Sequence, residues 1–418
     1  MPLNTPTLHR LLRYTVGALL ILAFMARIME FVFTFLLQAP ISEWQFSEFF
    51  INYEGGFVRR GLIGQGLMSL ARSGLSGDAI INLIRVVSIG CYMAVFAFFI
   101  YKFHQRRWNW WIILAPVFMG FVMCVIRKDF MQALMLIGIL MLLRGSPHAG
   151  GRLSLWCVTA LCVLELLIHE AFTFWGIPIT VLLIASLQVS RWEKASAIAV
   201  IAATIIVIGC FKGNEQMAHV ITDSWLPILP QLEYDYWNSV GAIGWNPGWA
   251  AYFHCITNFF SPEIGWLRLP LQIAAFTCYA YMVCNFVYTF SPAGETRETY
   301  RKHLTSVYIL TSITMIPVFT VFSVDYSRLY QYLTITSFAT VLAIPAARLD
   351  RALPGVLLRL TGRITLCIDR YFTPSKGIMV ALLFLSDVNG IHLLNNISVG
   401  TLSSLWNGIM TLVWLIRG

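Results

Sequence analysis

Apolar stretches of about 17 to 25 residues recur along the whole chain, which is the length that an α-helix needs to cross a hydrocarbon layer of roughly 30 Å. The composition agrees, because 58% of the residues are hydrophobic and only 12% are charged. A water-soluble fold has no interior large enough to bury so many apolar side chains. We therefore expect an all-α polytopic membrane protein in which residues 1–418 form a single transmembrane domain.

The apolar stretches predict about twelve transmembrane helices. The first stretch, Leu11–Leu37, is too long for the core of a signal peptide and is not followed by a small-residue cleavage site, so we expect it to stay as the first helix. The predicted helices lie at 12–37, 81–101, 109–126, 130–144, 153–168, 172–189, 194–211, 267–290, 304–322, 329–347, 376–391 and 401–416.

The basic residues indicate the orientation of these helices. The chain has 29 Lys and Arg against 20 Asp and Glu, and they are spread over short loops, which argues against nucleic acid as a partner. Because basic loops stay on the cytoplasmic side, their distribution predicts that both termini are cytoplasmic. Segment 348–376 places arginines among leucines and isoleucines, which indicates either an amphipathic helix on the inner leaflet or a plain basic linker.

Two long segments face outward in this orientation: a first extracytoplasmic loop at 38–79 and a larger loop at 212–266 that is rich in Trp, Tyr and Pro. Aromatic belts at the membrane interface and packing within the loop account for such rings. Sugar-binding surfaces also use flat aromatic faces. The composition of the loop does not choose between these interpretations.

Charged residues collect on the outward side, several of them in very short turns between apolar stretches. A charge at that depth is costly unless it is paired or faces a cavity, so these residues are candidates for function. Ordinary turns with mutual ion pairs, such as Lys128 with Asp129 or Asp325 with Arg328, are the alternative interpretation. The set comprises Glu43, Glu48, Glu54, Arg59, Arg60, Arg127, Lys128, Asp129, His169, Glu170, Asp325 and Arg328.

The chemistry of this set suits group transfer from a lipid-linked phosphate donor. Guanidinium and ammonium groups bind phosphate oxygens, and a nearby carboxylate can deprotonate an attacking hydroxyl. In the first loop, the paired glycines Gly55 and Gly56 let the backbone bend sharply. We expect this bend to place Glu54, Arg59 and Arg60 around one turn.

The acidic first loop, the second charged turn, the aromatic-rich loop and the number of helices together resemble the GT-C class of membrane glycosyltransferases. The Tyr53–Leu62 segment is also similar to one found in predicted membrane proteins of bacterial surface-polysaccharide clusters. The resemblance implies the bacterial cytoplasmic (inner) membrane as the location, with a polyprenyl-phosphate or polyprenyl-diphosphate sugar donor, a saccharide acceptor and membrane lipids as partners. The enzyme would add one sugar or polymerise repeat units of an O-antigen or capsule.

The same resemblance implies roles for the charged residues. An acid of the first loop, Glu54 or less favoured Glu48, would be the catalytic base, and Asp129 or Glu170 would supply the second acid, because the paired acids of the class are missing locally. A divalent cation shared with a diphosphate is compatible with this set, but no ligand spacing demands one and we predict no metal ligand. The expected substrate- and phosphate-binding residues are Tyr53, Arg59, Arg60, Arg127, Lys128, His169, Asp325 and Arg328.

Two functions of other classes compete with this one. A transporter or flippase of lipid-linked saccharide predicts charges in the middle of several helices, where the sequence offers few. A membrane acyltransferase requires a site centred on a histidine, for which His169 beside Glu170 is the only strong candidate, and it leaves the arginines unexplained. The charges in the middle of predicted helices are Arg27, Glu30, Arg85 and Glu165.

Overall fold

A computed structural model describes residues 5–30, 44–108, 113–114, 126–145, 151–236, 238–244, 276–285, 295–318, 326–375 and 379. Within these ranges the regular structure is helical and no strand occurs, which confirms the all-α expectation. The helices are α1 Thr5–Glu30, α2 Trp44–Ser47, α3 Gly61–Arg72, α4 Gly77–Gln105, α5 Asp129–Arg144, α6 Gly151–Ile168, α7 Phe172–Trp175, α8 Ile177–Ala185, α9 Arg191–Cys210, α10 Glu215–Trp225, α11 276–285, α12 Glu295–Thr314, α13 Tyr326–Ala343, α14 Ala346–Ala352 and α15 Gly355–Tyr371.

Three described helices, α4, α6 and α9, are long and apolar enough to cross a membrane. The pair α13 and α14 adds a fourth if it is one span, although the two helices meet at a bend of 119°. Large apolar side chains point away from the core, including Val86 in α4 and Ile206 in α9 at 69% and 66% exposure. The predicted helices at 109–126, 376–391 and 401–416 lie wholly or largely outside the described residues.

The packing of the helices gathers the start of α5, the end of α6 and the start of α13 at one end of the bundle. Gln132 Nε2 in α5 donates to the carbonyl of His169, just past α6, at 3.0 Å. The Tyr332 hydroxyl of α13 hydrogen-bonds to Asp129, the first residue of α5. At the opposite end, Arg348 donates to a carbonyl in the last turn of α5. We call the end that contains Asp129 and His169 the charged end.

The two segments expected as outward loops are partly helical and pack against each other. Trp225, the last residue of α10, donates from Nε1 to the carbonyl of Phe50 at 2.7 Å, and Asn52 Nδ2 donates to Ser224 Oγ at 2.9 Å. Trp225 is fully buried, so this ring serves as loop core. Helices α3 and α10 lie within the two segments that were predicted as loops, so that prediction is wrong there. Both helices are too short to span a membrane, and a search for long apolar stretches does not detect them.

Proline and glycine explain where the continuous predictions break. The predicted helix at 172–189 is two helices, α7 and α8, because the chain turns at Gly176 and Pro178 opens the first turn of α8. Segment 348–376 contains α14 and α15, separated at Pro354, and the buried side chains of α15 lie on one face. The segment is therefore helical and not a plain linker, and its position on the inner leaflet stays a prediction.

Helix α12 begins at Glu295, whereas the sequence predicts a start at residue 304. Its first turns are polar, but Arg301 is fully buried and donates from Nη1 to Asp369 Oδ2 at 2.8 Å. A pairing with a distant helix makes these polar turns stable inside the protein. Hydrophobicity alone does not detect such a turn.

Gly64 tests how closely α3 packs on the first loop, with Gly66 in the same helix as its control. A Cβ added at Gly64 would collide with the carbonyl oxygen of Ile51, whereas nothing lies within 4 Å of a Cβ added at Gly66. Because Ala has a helix propensity about 1 kcal/mol better than Gly, we expect Gly66→Ala to raise the thermal midpoint slightly and Gly64→Ala to lower it clearly. Thermal unfolding in detergent measures both; equal midpoints would contradict the close packing.

Candidate active site

Six ionisable residues from four separate turns meet at the charged end. Glu48, Lys128 and His169 are almost completely buried, at 2%, 0% and 3% exposure. Buried charges are costly unless they are paired and hydrogen-bonded, so their partners determine their chemistry. The six residues, which we call the charged cluster, are Glu48, Arg59, Arg60, Lys128, His169 and Glu170.

Arg60 and Glu170 form the most extensive pair in the charged cluster. Arg60 donates from Nε to Oε2 of Glu170 at 2.7 Å and from Nη2 to Oε1 at 2.5 Å, and Arg59 Nη1 donates to Oε1 at 3.2 Å. Burial raises the pKa of Glu170, but the positive charges of Arg60 and Arg59 outweigh it and hold that pKa well below its usual range. Glu170 is therefore an ionised anchor for the two arginines and has little capacity left to act as a base.

His169 and Glu48 form the second pair. His169 Nδ1 accepts a hydrogen bond from the backbone N–H of Ala171 at 3.1 Å, so the proton sits on Nε2, which lies 3.2 Å from Glu48 Oε1. Burial, followed by the charge of Arg60, lowers the pKa of His169 and keeps the ring neutral. Nδ1 is therefore occupied by the backbone of the same turn, and it also lies 3.6 Å from Glu170 Oε2.

The Glu48 carboxyl is ionised in spite of its burial. Burial raises the pKa of Glu48, but the hydrogen bond from His169 and the positive charge of Lys128 outweigh it and hold the pKa far below its usual value. His169 is its one ion-pair partner within 4 Å among the described residues. Both carboxylates are ionised, so their contacts separate them: arginines donate to both oxygens of Glu170, whereas Glu48 has the one recorded contact with His169.

Lys128 connects the cluster to the first loop. Its Nζ donates to the backbone carbonyl of Arg60 at 2.9 Å and lies 6.0 Å from the centre of the Phe49 ring. Burial lowers the pKa of Lys128 to about 8, and Glu48 opposes this by stabilising the charged form. An ammonium with this pKa changes charge close to physiological pH.

Asp129 does not join the charged cluster through Lys128. Its Oδ1 is bonded to the Tyr332 hydroxyl and its Oδ2 lies 3.7 Å from Arg328 Nε. The Tyr332 ring in turn stacks on Trp175 with 4.8 Å between the ring centres. The ion pair between Lys128 and Asp129, raised as an alternative, is therefore wrong, and Asp129 and Arg328 form a second polar group beside the cluster.

Glu54, the favoured base in the sequence, lies outside the charged cluster. Its Oε2 accepts a hydrogen bond from Arg72 Nη2 at 2.7 Å, and the Arg72 side chain is 59% exposed. The hydrogen bond from Arg72 lowers the pKa of Glu54. The expectation that Glu54 shares a turn with Arg59 and Arg60 is wrong, because Glu54 is paired with Arg72 whereas both arginines are paired with Glu170.

The remaining predicted residues are placed less centrally. Tyr53 is half-buried, its ring stacks on Phe57 with 5.3 Å between the ring centres, and its N–H donates to Gln65. Tyr53 therefore supports the loop, and no contact with the charged cluster is seen among the described residues. Arg127 is half-buried beside Lys128. Glu43 and Asp325 lie outside the described residues.

Neutral residues that support the site escaped the sequence reasoning. Gln132 joins α5 to the end of α6 through the carbonyls of His169 and Glu165, and Tyr332 holds Asp129. Both lie inside apolar stretches and are neutral, so the charge pattern does not mark them. Gln132 lies three residues after Asp129, and Tyr332 lies four residues after Arg328. Residues at these spacings share one face of a helix, so the charged residues could have pointed to both.

No group of three or more His, Cys, Asp or Glu side chains with the arrangement of a metal site occurs in the part of the chain that the structure describes. Comparison of the chain with protein-family models, with curated proteins and with solved structures gives no match. The fold and the site define a helical protein with helices apolar enough to span a membrane and a buried charged cluster at one end of its bundle.

Proposed function

We propose that this protein is a GT-C-like glycosyltransferase of the bacterial cytoplasmic membrane, with about twelve transmembrane helices. It transfers a sugar from a polyprenyl-(di)phosphate donor to a saccharide acceptor at the extracytoplasmic face, in surface-polysaccharide assembly. The observation that carries the proposal is the convergence of four turns at one end of the bundle. They bring cations suited to a phosphate next to an ionised carboxylate suited to a hydroxyl.

Arg59 and Lys128 are the residues proposed to hold the donor phosphate. Arg60 forms a bidentate pair with Glu170, whereas the bond from Arg59 to Glu170 is longer, at 3.2 Å, and the Arg59 side chain keeps 27% exposure, against 18% for Arg60. Lys128 has three N–H donors, one of which is recorded on the carbonyl of Arg60. Cations in this position stabilise the negative charge that develops on the leaving phosphate.

Glu48 is the proposed base. The hydroxyl oxygen of the acceptor attacks the anomeric carbon, Glu48 accepts the hydroxyl proton, and the bond between that carbon and the phosphate oxygen breaks with its electron pair on the phosphate. The hydroxyl becomes acidic as the new bond forms, so a carboxylate with a low pKa is sufficient. His169 acts as a positioning residue, since its Nε2 proton faces Glu48 Oε1 at 3.2 Å.

The direct test is an assay of the full-length protein in lipid nanodiscs with polyprenyl-phosphate-linked and polyprenyl-diphosphate-linked sugars and a saccharide acceptor. A product that is heavier than the acceptor by one or more sugars, detected by mass spectrometry, is the expected result. A folded protein that forms no such product with donors of either class would contradict the proposal.

Lys128 gives the proposed reaction a pH dependence. With a pKa of about 8, its ammonium is charged below that pH and neutral above it, so phosphate binding weakens as the pH rises through 8. We expect kcat/KM to fall by about tenfold per pH unit on the alkaline side, and Lys128→Arg to move this limb to higher pH because a guanidinium stays charged. Rate profiles of both proteins from pH 6 to 10 measure this. Superimposable alkaline limbs would rule out Lys128 as the titrating group.

Glu165 favours transport or flipping of a lipid-linked saccharide as a second candidate. It lies in α6, is fully buried, and neither of its carboxylate oxygens has a hydrogen-bond partner among the described residues. An acid of this kind inside a membrane helix is typical of a substrate or proton path. A flippase would move the lipid-linked sugar across a vesicle bilayer without forming a glycosidic bond, and Glu165→Gln would block that movement.

A further inference from the structure

Helix α15 presents a fixed outer face at the end of the bundle opposite the charged cluster. Its inner face is attached to α12, where Arg301 Nη1 donates to Asp369 Oδ2 at 2.8 Å and Ser306 Oγ donates to Thr361 Oγ1 at 2.9 Å. Arg301 and Thr361 are both fully buried. These contacts determine which side of α15 is turned away from the protein.

The outer face of α15 mixes arginines with large apolar side chains. Val356 and Leu366 are each 70% exposed, and Tyr371 and Phe372 follow at 64% and 66%. A helix facing water does not expose so many apolar groups, and a helix immersed in lipid does not carry three arginines. The exposed arginines of this face are Arg359, Arg363 and Arg370.

We propose that the outer face of α15 is a binding site for the headgroups of anionic phospholipids. The helix lies in the surface of the leaflet, with its apolar side chains at the acyl boundary and its arginines on the headgroup phosphates. A guanidinium matches phosphate oxygens, and each arginine near an anionic surface strengthens binding by about fivefold. An acidic soluble protein would leave Val356 and Leu366 in contact with water unless it also covered them. This site is independent of the proposed sugar transfer.

Cys367 is a natural reporter for this face because it is exposed next to Leu366, and Cys210, exposed in the last turn of α9 at the other end of the bundle, is an internal reference. The experiment places the full-length protein in nanodiscs of phosphatidylcholine, with or without phosphatidylglycerol. A polyethylene glycol maleimide, which is uncharged and does not enter the bilayer, labels the cysteines, and mass spectrometry of the peptides gives each rate. We expect phosphatidylglycerol to slow labelling of Cys367 several-fold relative to Cys210.

The triple variant Arg359→Gln, Arg363→Gln, Arg370→Gln is expected to label Cys367 at the same rate in both lipids. Arg351→Gln is the matched control, because Arg351 is exposed on α14 and donates to Ala347 of its own helix; it should keep the wild-type lipid dependence. Raising the salt from 0.1 M to 1 M shortens the screening length from about 10 Å to about 3 Å and should abolish the protection in the wild type without any substitution.

Three results would overturn the lipid site. One is a wild-type Cys367 rate that ignores phosphatidylglycerol, and another is protection that survives in the triple variant or in high salt. The third is protection by a soluble polyglutamate in phosphatidylcholine discs without any effect of phosphatidylglycerol, which would assign the face to an acidic protein instead.

Discussion

Glu48→Gln is expected to slow the proposed sugar transfer by about 10²- to 10⁴-fold, the usual contribution of a general base. Glu54→Gln, which removes the same charge from the same loop, is expected to stay near the wild-type rate. Glu48 is 2% exposed and faces His169, whereas Glu54 is paired with Arg72 at the surface. Steady-state rates of product formation with saturating donor and acceptor measure the difference.

Glutamine at position 48 still offers a carbonyl oxygen to the Nε2 proton of His169, so the fold should survive the change. Circular dichroism and gel filtration in detergent check this for both variants. The reverse outcome, an inactive Glu54→Gln protein and an active Glu48→Gln protein, would return the role of base to Glu54 and remove Glu48 from the mechanism.

Arg60→Leu is expected to lower the free energy of unfolding by about 3 kcal/mol, at the lower end of the range for breaking a buried ion pair. The lower end applies because the Arg60 and Glu170 side chains keep 18% and 21% exposure and Arg59 also binds Glu170. Leucine and arginine both carry a Cβ at the left-handed backbone of residue 60, so the change adds no backbone strain and the lost charge dominates. Chemical unfolding in detergent gives the value.

The double variant Arg60→Leu, Glu170→Leu separates a lost pair from a stranded charge. We expect it to be more stable than Arg60→Leu alone, because no buried carboxylate is left without its partner. Arg59→Leu is the matched control and should cost less than about 1 kcal/mol, since the contact of Arg59 with Glu170 is longer, at 3.2 Å, and its side chain is more exposed, at 27%. Additive effects of Arg60→Leu and Glu170→Leu would show that the pair has no coupling.

The sequence located the helices of the bundle well where hydrophobicity was the cause. The predicted helices at 81–101, 130–144 and 153–168 agree with α4, α5 and α6 within a few residues. The helix prediction was wrong where a polar or short segment is stabilised by residues distant in the chain, as in the first turns of α12 and in α3. Burial of Arg301 against Asp369 depends on two helices that are far apart in the chain.

The candidate site divides in the same way. Charged residues in short turns between apolar stretches predicted where the site lies. Six of them meet in the charged cluster: Glu48, Arg59, Arg60, Lys128, His169 and Glu170. Glu54, the acid favoured by the sequence, is instead paired with Arg72 outside the cluster, and the base stays a prediction. Sequence spacing gives no information on which side of a glycine bend a side chain leaves the backbone.

By itself the sequence determined that the chain is helical, that several helices are apolar enough for a membrane and which turns carry charge, because hydrophobicity and local charge are properties of neighbouring residues. The tertiary structure alone decided which charges are paired. Arg60 and Glu170 are 110 residues apart, and their bidentate contact exists because α3 and the end of α6 pack together. That packing places Glu170 between two arginines and leaves Glu48 beside His169.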